Sequence, residues 1–108
     1  MPRLKMMVYT NALDGKDDEF NHWYDTIHLP EVIDFTKAVA AQRFQLSDAQ
    51  PGDPGGHRYL AIYEFEVDSK EAYDSLTAST DKMDLGSSLD RGSAKVVFYD
   101  EIGERIGV

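Results

Sequence analysis

The sequence predicts an α+β domain with the element order strand, helix, strand, strand, helix, strand, and three observations point to it. Residues 59–67 alternate at period two, with Tyr59, Ala61, Tyr63, Phe65 and Val67 on one side of a strand. Phe20, Trp23, Tyr24 and Ile27 recur at i, i+3, i+4 and i+7, the stripe of a core-facing helix. Finally, 108 residues, 42% hydrophobic and 29% charged, suffice for one core and not two, so a single domain over 1–108 is expected.

From the N-terminus, residues 4–11 read as the first strand, with Leu4, Met6 and Val8 on one side and Met7, Tyr9 and Asn11 on the other. Leu13-Asp14-Gly15-Lys16 is a turn, and Asp17, Asp18 and Glu19 complement the positive end of the helix that follows. Pro30 disfavours helical geometry at Leu29, which predicts that this helix stops at or near His28. Pro30 then opens a second short turn of helix reaching Phe35. Residues 38–46 are the second strand, with Arg43 on one side and Phe44 on the other, and residues 47–58, with Pro51, Gly52, Pro54, Gly55 and Gly56, are a surface loop. After the strand at 59–67, Asp68 or Ser69 caps a helix whose inner face is expected to hold Ala72, Tyr73, Leu76 and Thr80. A connection over 82–91 leads to the last strand, 95–101.

This order is the split βαβ pattern of ferredoxin-like domains, an antiparallel four-stranded sheet with both helices on one face. Two helices cover only one face. Yet Met7 and Tyr9, and Val97 and Tyr99, are apolar on the side opposite Leu4, Met6, Val8, Val96 and Phe98. A second copy of the chain is the simplest cover, so a homodimer is expected.

The formal net charge of -9 repels phosphate backbones and anionic lipid, which argues against nucleic acid and membrane partners. Cysteine is absent, which removes disulfides, thiol nucleophiles and thiolate metal sites and suits a reducing compartment. The stretch 1–9 is too short for a signal-peptide core or a membrane span, so a cytoplasmic location is expected. No glycine-rich phosphate loop precedes a helix. Residues 14–19 are acidic but lack calcium-loop spacing. His22 and His28 are six apart and project from different sides of the helix, poor geometry for a chelate. Neither a metal nor a cofactor is expected.

Chemistry concentrates in residues 18–30, which hold the only tryptophan and two of three histidines. His28 lies beside the aromatic stripe at the expected helix end. As a cap, its imidazolium is favoured by the helix dipole; as a general acid or base, it titrates near neutrality. The dipole raises its pKa and burial lowers it, and the sequence leaves the sign open. Asp25, three residues earlier, either orients the His28 ring or is a solvated helix charge. Trp23 and Tyr24 are core residues or the wall of a flat substrate site. Asn11 starts a turn or binds a substrate carbonyl. Arg43, mid-strand among small neighbours, binds an anion or pairs with a strand acid such as Glu64, and is expected to point into the interior of a dimeric barrel. Tyr59 and Tyr63 share a strand face and supply phenolic donors there or pack with wet tips.

Asn11, Gly15, Glu19-Phe20-Asn21, Trp23-Tyr24-Asp25 and His28-Leu29-Pro30 together resemble the N-terminal signature of the EthD-like proteins, within the dimeric α+β barrel superfamily. Ala41-Gln42-Arg43-Phe44 and Tyr59-Leu60-Ala61-Ile62-Tyr63 are similar to the corresponding strands of that group, while the last third matches only in element order. The resemblance implies a back-to-back dimer whose two sheets enclose a barrel, with a pocket in each subunit. Proteins of the superfamily include cofactor-free monooxygenases, lactone isomerases, polyketide cyclases and haem enzymes. Haem relatives tend to ligate iron through a histidine in the second half of the fold, and no histidine follows His57 here.

The resulting expectation is a cofactor-free, homodimeric enzyme on a small aromatic or polyketide-like carbonyl compound. It would transfer a proton, as isomerases, cyclases and lyases do. His28 moves the proton, Asp25 or a backbone carbonyl holds its tautomer, and Asn11, Arg43 or Tyr63 stabilises oxyanion charge. The alternatives are a cofactor-independent monooxygenase on a phenol and a non-enzymatic small-molecule-binding or stress-response dimer.

Overall fold

The alternating segments form four antiparallel strands, β1 Leu4–Thr10, β2 Ala38–Gln45, β3 Tyr59–Phe65 and β4 Lys95–Asp100, in the order β2-β3-β1-β4. The structure is a computed structural model and describes residues 3–108. Met1 and Pro2, the start of the expected domain and of the N-terminal stretch, lie outside the described residues.

Register sorts the side chains by face. Leu4 pairs with Phe65, Met6 with Tyr63, Val8 with Ala61 and Thr10 with Tyr59. On the other side of β3, Ala41 pairs with Tyr63 and Arg43 with Ala61. Because paired residues share a face, all of these turn toward the helices. Leu4, Met6, Tyr59, Ala61, Tyr63 and Phe65 are buried there against Phe20, Trp23, Tyr24, Val32 and Ala72. The opposite face has no second layer. Its Met7, Tyr9, Leu60, Ile62 and Val97 are half-buried by neighbours, and Phe44 and Tyr99 are exposed. The molecule is correspondingly thin, 42 × 39 × 23 Å.

The first helical segment differs from expectation. It does not stop at His28. The helix α1, Asp17–Trp23, runs into a π turn, Tyr24–His28, and on into α2, Leu29–Phe35. Leu29 is helical (φ -58°, ψ -49°) despite preceding Pro30, and its N–H donates to the Tyr24 carbonyl five residues back. The wider register accommodates the proline ring and its missing donor, which an uninterrupted α-helix cannot do without a kink. Thr26 Oγ1 also donates to the His22 carbonyl at 2.6 Å, a back-bond that loosens the same turn.

Asp68 caps the second main helix, α3 Ser69–Ser79, by accepting from the Glu71 N–H at 2.8 Å. Its buried stripe is Ala72 and Ser79 with Leu76 packed against the core, and Tyr73, expected inside, is 58% exposed. The small side chains bring α3 close enough for Ser79 Oγ to donate to the Phe35 carbonyl at 2.6 Å, satisfying an orphan group at the end of α2. Thr80, also expected inside, is exposed and begins a short 3₁₀ turn, Thr80–Lys82.

Candidate functional site

An extra residue in the π turn changes which side chain follows Tyr24 inward. A continuous 3.6-residue period would bury Ile27, but Ile27 is 41% exposed and His28 takes its place. Residues five apart stack across a π turn, and the His28 ring lies on Trp23 at 4.8 Å and 14°. It meets the Tyr24 ring edge-on at 5.0 Å. The His28 Nδ1 is sealed from solvent and has no hydrogen-bond partner. Burial lowers the pKa of the imidazole from 6.5 to about 4, partly opposed by the charge of Asp84. The sign left open by the sequence is therefore negative: desolvation outweighs the electrostatic attraction, and His28 is neutral at pH 7.

The loop after α3 closes over this stack. Trp23 Nε1 donates to the Asp84 carbonyl at 3.2 Å, and the Asp84 N–H donates to the Glu31 carboxylate at 3.0 Å. Gly86 sits at φ +67°, and a Cβ there would come within 2.8 Å of Trp23 Cε2. Only glycine fits both the backbone angle and the contact.

Asp25 does not orient His28. Its carboxylate accepts from Arg43 Nη1 at 2.9 Å, while Arg43 Nη2 donates to Asn21 Oδ1 at 2.9 Å. Asp17, Asn21 and Asp25, four residues apart, form a polar stripe beside β2 and β3, and Asp17 accepts from the Tyr59 hydroxyl at 2.6 Å. The guanidinium lies 4.4 Å over the Tyr24 ring, with Phe20 and Tyr59 at 5.4 and 5.5 Å. Arg43 thus lies half-buried on the helix-covered face rather than turned into a barrel, and its Nε, itself sealed from solvent, lacks a partner. Glu64 is on the opposite face, paired with Lys5 at 3.3 Å, so it cannot be the partner of Arg43.

Tyr59 and Tyr63 share a face as expected, but under the helices, not on the open side. The Tyr63 and Tyr24 hydroxyls are 3.1 Å apart in the core. Burial raises the pKa of both, and Arg43 opposes that rise. Both phenols stay protonated, and one hydrogen bond between them uses only one of their two protons. Tyr24 is the hub: Arg43 over its ring, His28 at its edge, Tyr63 at its hydroxyl. A groove of about 370 Å³ runs past Asn21, Asp25, Arg43, Phe44, Gln45 and Tyr59, and His28 is not among its lining residues.

Asn11 lies elsewhere. Its side chain donates to the Gly56 carbonyl at 2.9 Å and accepts from the Arg58 N–H at 2.8 Å, fastening the loop between β2 and β3. Sequence reasoning missed Asn21, Asp84 and Gly86. The 17/21/25 spacing was a usable signal for the first, whereas the other two lie in a loop with no periodicity.

Among the described residues, no three His, Asp or Glu side chains gather as a metal site, and no helix is long and apolar enough to cross a membrane. No family model matches the chain, and no curated protein matches it in sequence. Solved structures do match in shape. One is an EthD-family protein from Bacillus halodurans C-125, with a TM-score of 0.58 at 9% identity, covering 94% of this chain and 100% of the other. The fold is the EthD-like one. HapK from Hahella chejuensis is similar at TM-score 0.53 and 13% identity, covering 96% of this chain and 94% of HapK. Identities this low carry the EthD-like architecture and nothing finer, so chemistry must be argued from the residues themselves.

Proposed function

We propose that this protein is a homodimeric enzyme that moves a proton next to the carbonyl of a small aromatic or polyketide-like compound, with His28 as the base. The observation that carries this reading is the orphaned Nδ1 of His28. A buried polar atom without a partner costs about 1–3 kcal/mol, and native proteins keep few of them, so each calls for an explanation. A ligand that reaches Nδ1 supplies the missing partner.

The lowered pKa keeps the imidazole unprotonated at neutral pH, but it also makes His28 a weak base. That selects an acidic C–H such as the one between two carbonyls of a 1,3-dicarbonyl compound. The imidazolium formed on proton uptake is stabilised by the Trp23 face, by Asp84 and by the enolate it has just created. Charge building on the substrate oxygen is assigned to the Tyr24–Tyr63 pair, which can donate because it is protonated, with Arg43 as the positive charge behind it. Asp25 and Asn21 act by gripping Arg43. Proton transfer of this type needs no cofactor.

The buried, unpartnered Nε of Arg43 supports a second reading, in which the groove beside it holds a phenolate that itself reduces oxygen. One experiment separates the two. The protein is incubated in D₂O with a panel of aryl 1,3-diketones and naphthols, with α-proton loss followed by NMR and oxygen by electrode. Protein-dependent proton loss without oxygen uptake is the expected result. Oxygen uptake on the phenols alone favours the second reading, and neither signal identifies a binding protein rather than an enzyme.

A further inference from the structure

Trp23, His28 and Glu31 follow one another along one side of the helical run, across the π turn and then across the first turn of α2. The outer two grip the same residue of the loop after α3. Asp84 accepts from Trp23 Nε1 through its carbonyl at 3.2 Å, and its N–H donates to the Glu31 carboxylate at 3.0 Å. Asp84 is therefore slung across the side of the helix on which His28 sits, and its charge acts on the imidazole. Two residues on, Gly86 rests against the Trp23 ring. This strap lies on the helix-covered side of the sheet, away from the face left for a second copy.

The strap is firmly fixed at its ends and lightly held between them. Met83 and Leu89 pack against the core, the Ser88 carbonyl accepts from the Leu13 N–H at 2.8 Å, and Leu89 bridges to Ala12. Residues 84–87 belong to no helix or strand. Among the described residues, their hydrogen bonds to the rest of the molecule go to Trp23 and Glu31, and a third, Gly86 N–H to Asp84 Oδ1 at 2.8 Å, is internal. Asp84 and Ser87 are exposed, and Leu85 and Gly86 half-buried. Segments secured this sparsely open locally at the least cost. The other neighbours of His28, the rings of Trp23 and Tyr24, are core residues. Neither the groove beside Arg43 nor the one between α2 and β2 reaches His28.

We infer that residues 84–87 are a gate over His28, latched by Glu31, which swings out to admit a small carbonyl compound. The inference rests on the proposal that His28 is the base. Opening releases the Asp84 N–H from Glu31 and its carbonyl from Trp23, while Met83 and Ser88 stay in place as the two hinges. Closing behind the substrate returns the peptide to Trp23 and keeps water from the imidazole while the proton moves. Glu31 is a positioning residue here, acting through Asp84.

Access to the imidazole can be read without turnover. Diethyl pyrocarbonate acylates unprotonated histidines, and peptide mass spectrometry gives separate rates for His28 and for exposed His22, the internal standard. Glu31→Ala should raise the His28 rate about tenfold, the effect of losing one charge-assisted hydrogen bond, and leave the His22 rate unchanged. A thermal melt verifies that the variant is folded. The chain has no cysteine, so Glu31→Cys with Asp84→Cys can be bridged specifically by a short bis-methanethiosulfonate. The bridge should suppress acylation of His28 and α-proton exchange of an aryl 1,3-diketone, and dithiothreitol should restore both. A His28 rate indifferent to Glu31→Ala and to the bridge overturns the gate, as does full exchange activity in the bridged protein. A His28 rate that follows the latch in a protein with no exchange activity supports the gate and counts against His28 as the base.

Discussion

His28 links local geometry to a pH dependence whose sign is fixed. Its folded-state pKa, about 4, is below the ordinary 6.5. As pH falls through that window the unfolded chain binds a proton at this position and the folded chain does not. Stability at His28 is therefore full above pH 6.5 and lost progressively toward pH 4, by on the order of 3 kcal/mol over the window. Urea unfolding from pH 7 to 4 should show a shallower loss for His28→Phe, which keeps an aromatic ring on Trp23 but cannot titrate. Parallel curves for the two proteins would mean that the imidazole is solvated. The neighbouring glycine gives a second residue-scale outcome. Gly86→Ala places a methyl group 2.8 Å from Trp23 Cε2 at a positive φ, so it should destabilise by about 1–3 kcal/mol. It should also shift the emission of the only tryptophan. A fluorescence-monitored melt unchanged from wild type would show that the loop does not press on Trp23.

The π turn is the element that sequence periodicity missed. Ile27 is apolar and falls where a 3.6-residue stripe wants it, so nothing in the pattern betrays the extra residue. Pro30 signalled a helix end when it marked a change of register instead. A π turn is an α-helix with one residue added, so removing that residue restores the flanking faces to each other. Deleting Thr26 should therefore keep both Phe20 and Val32 inside, with a cooperative melt. Deleting His22 from α1 rotates Phe20 away from Trp23 and should abolish that melt; equal damage from the two deletions would argue against a local insertion. The strands were more legible. Period-two spacing in residues 59–67 and 4–10 grouped the side chains by face, helped by the contrast of Glu64 and Glu66 with Tyr63, Phe65 and Val67, but it did not say which face the helices cover, and Tyr59 and Tyr63 lie under them. In β2 the alanines erase that contrast, so the direction of Arg43 emerged only from its pairing with Ala61. The crowding of Trp23, Tyr24 and His28 was visible in the sequence; the partner of Asp25 was not, since it depends on how β2 docks against α1.

At the scale of the whole molecule, one face of a four-stranded sheet has no cover, and Ile102, Ile106 and Val108 beyond β4 are almost wholly exposed. The proposed second copy would cover both, since face-to-face sheets bury such rows about 10 Å apart. Light scattering at micromolar concentration should give twice the chain mass, and replacing Ile62 and Val97 with lysine should give a folded monomer. A well-folded wild-type monomer at that concentration would refute the barrel. The central claim is that His28 is chemical rather than merely packed. It is tested most directly by the rate of α-proton exchange for a turned-over 1,3-diketone in wild type, His28→Ala and His22→Ala, all measured well below their melting temperatures. His28→Ala should lose about 10²–10⁴-fold, the contribution of a positioned general base, while His22→Ala, exposed on the same helical run, should match wild type. Equal and small effects of the two substitutions would contradict the account.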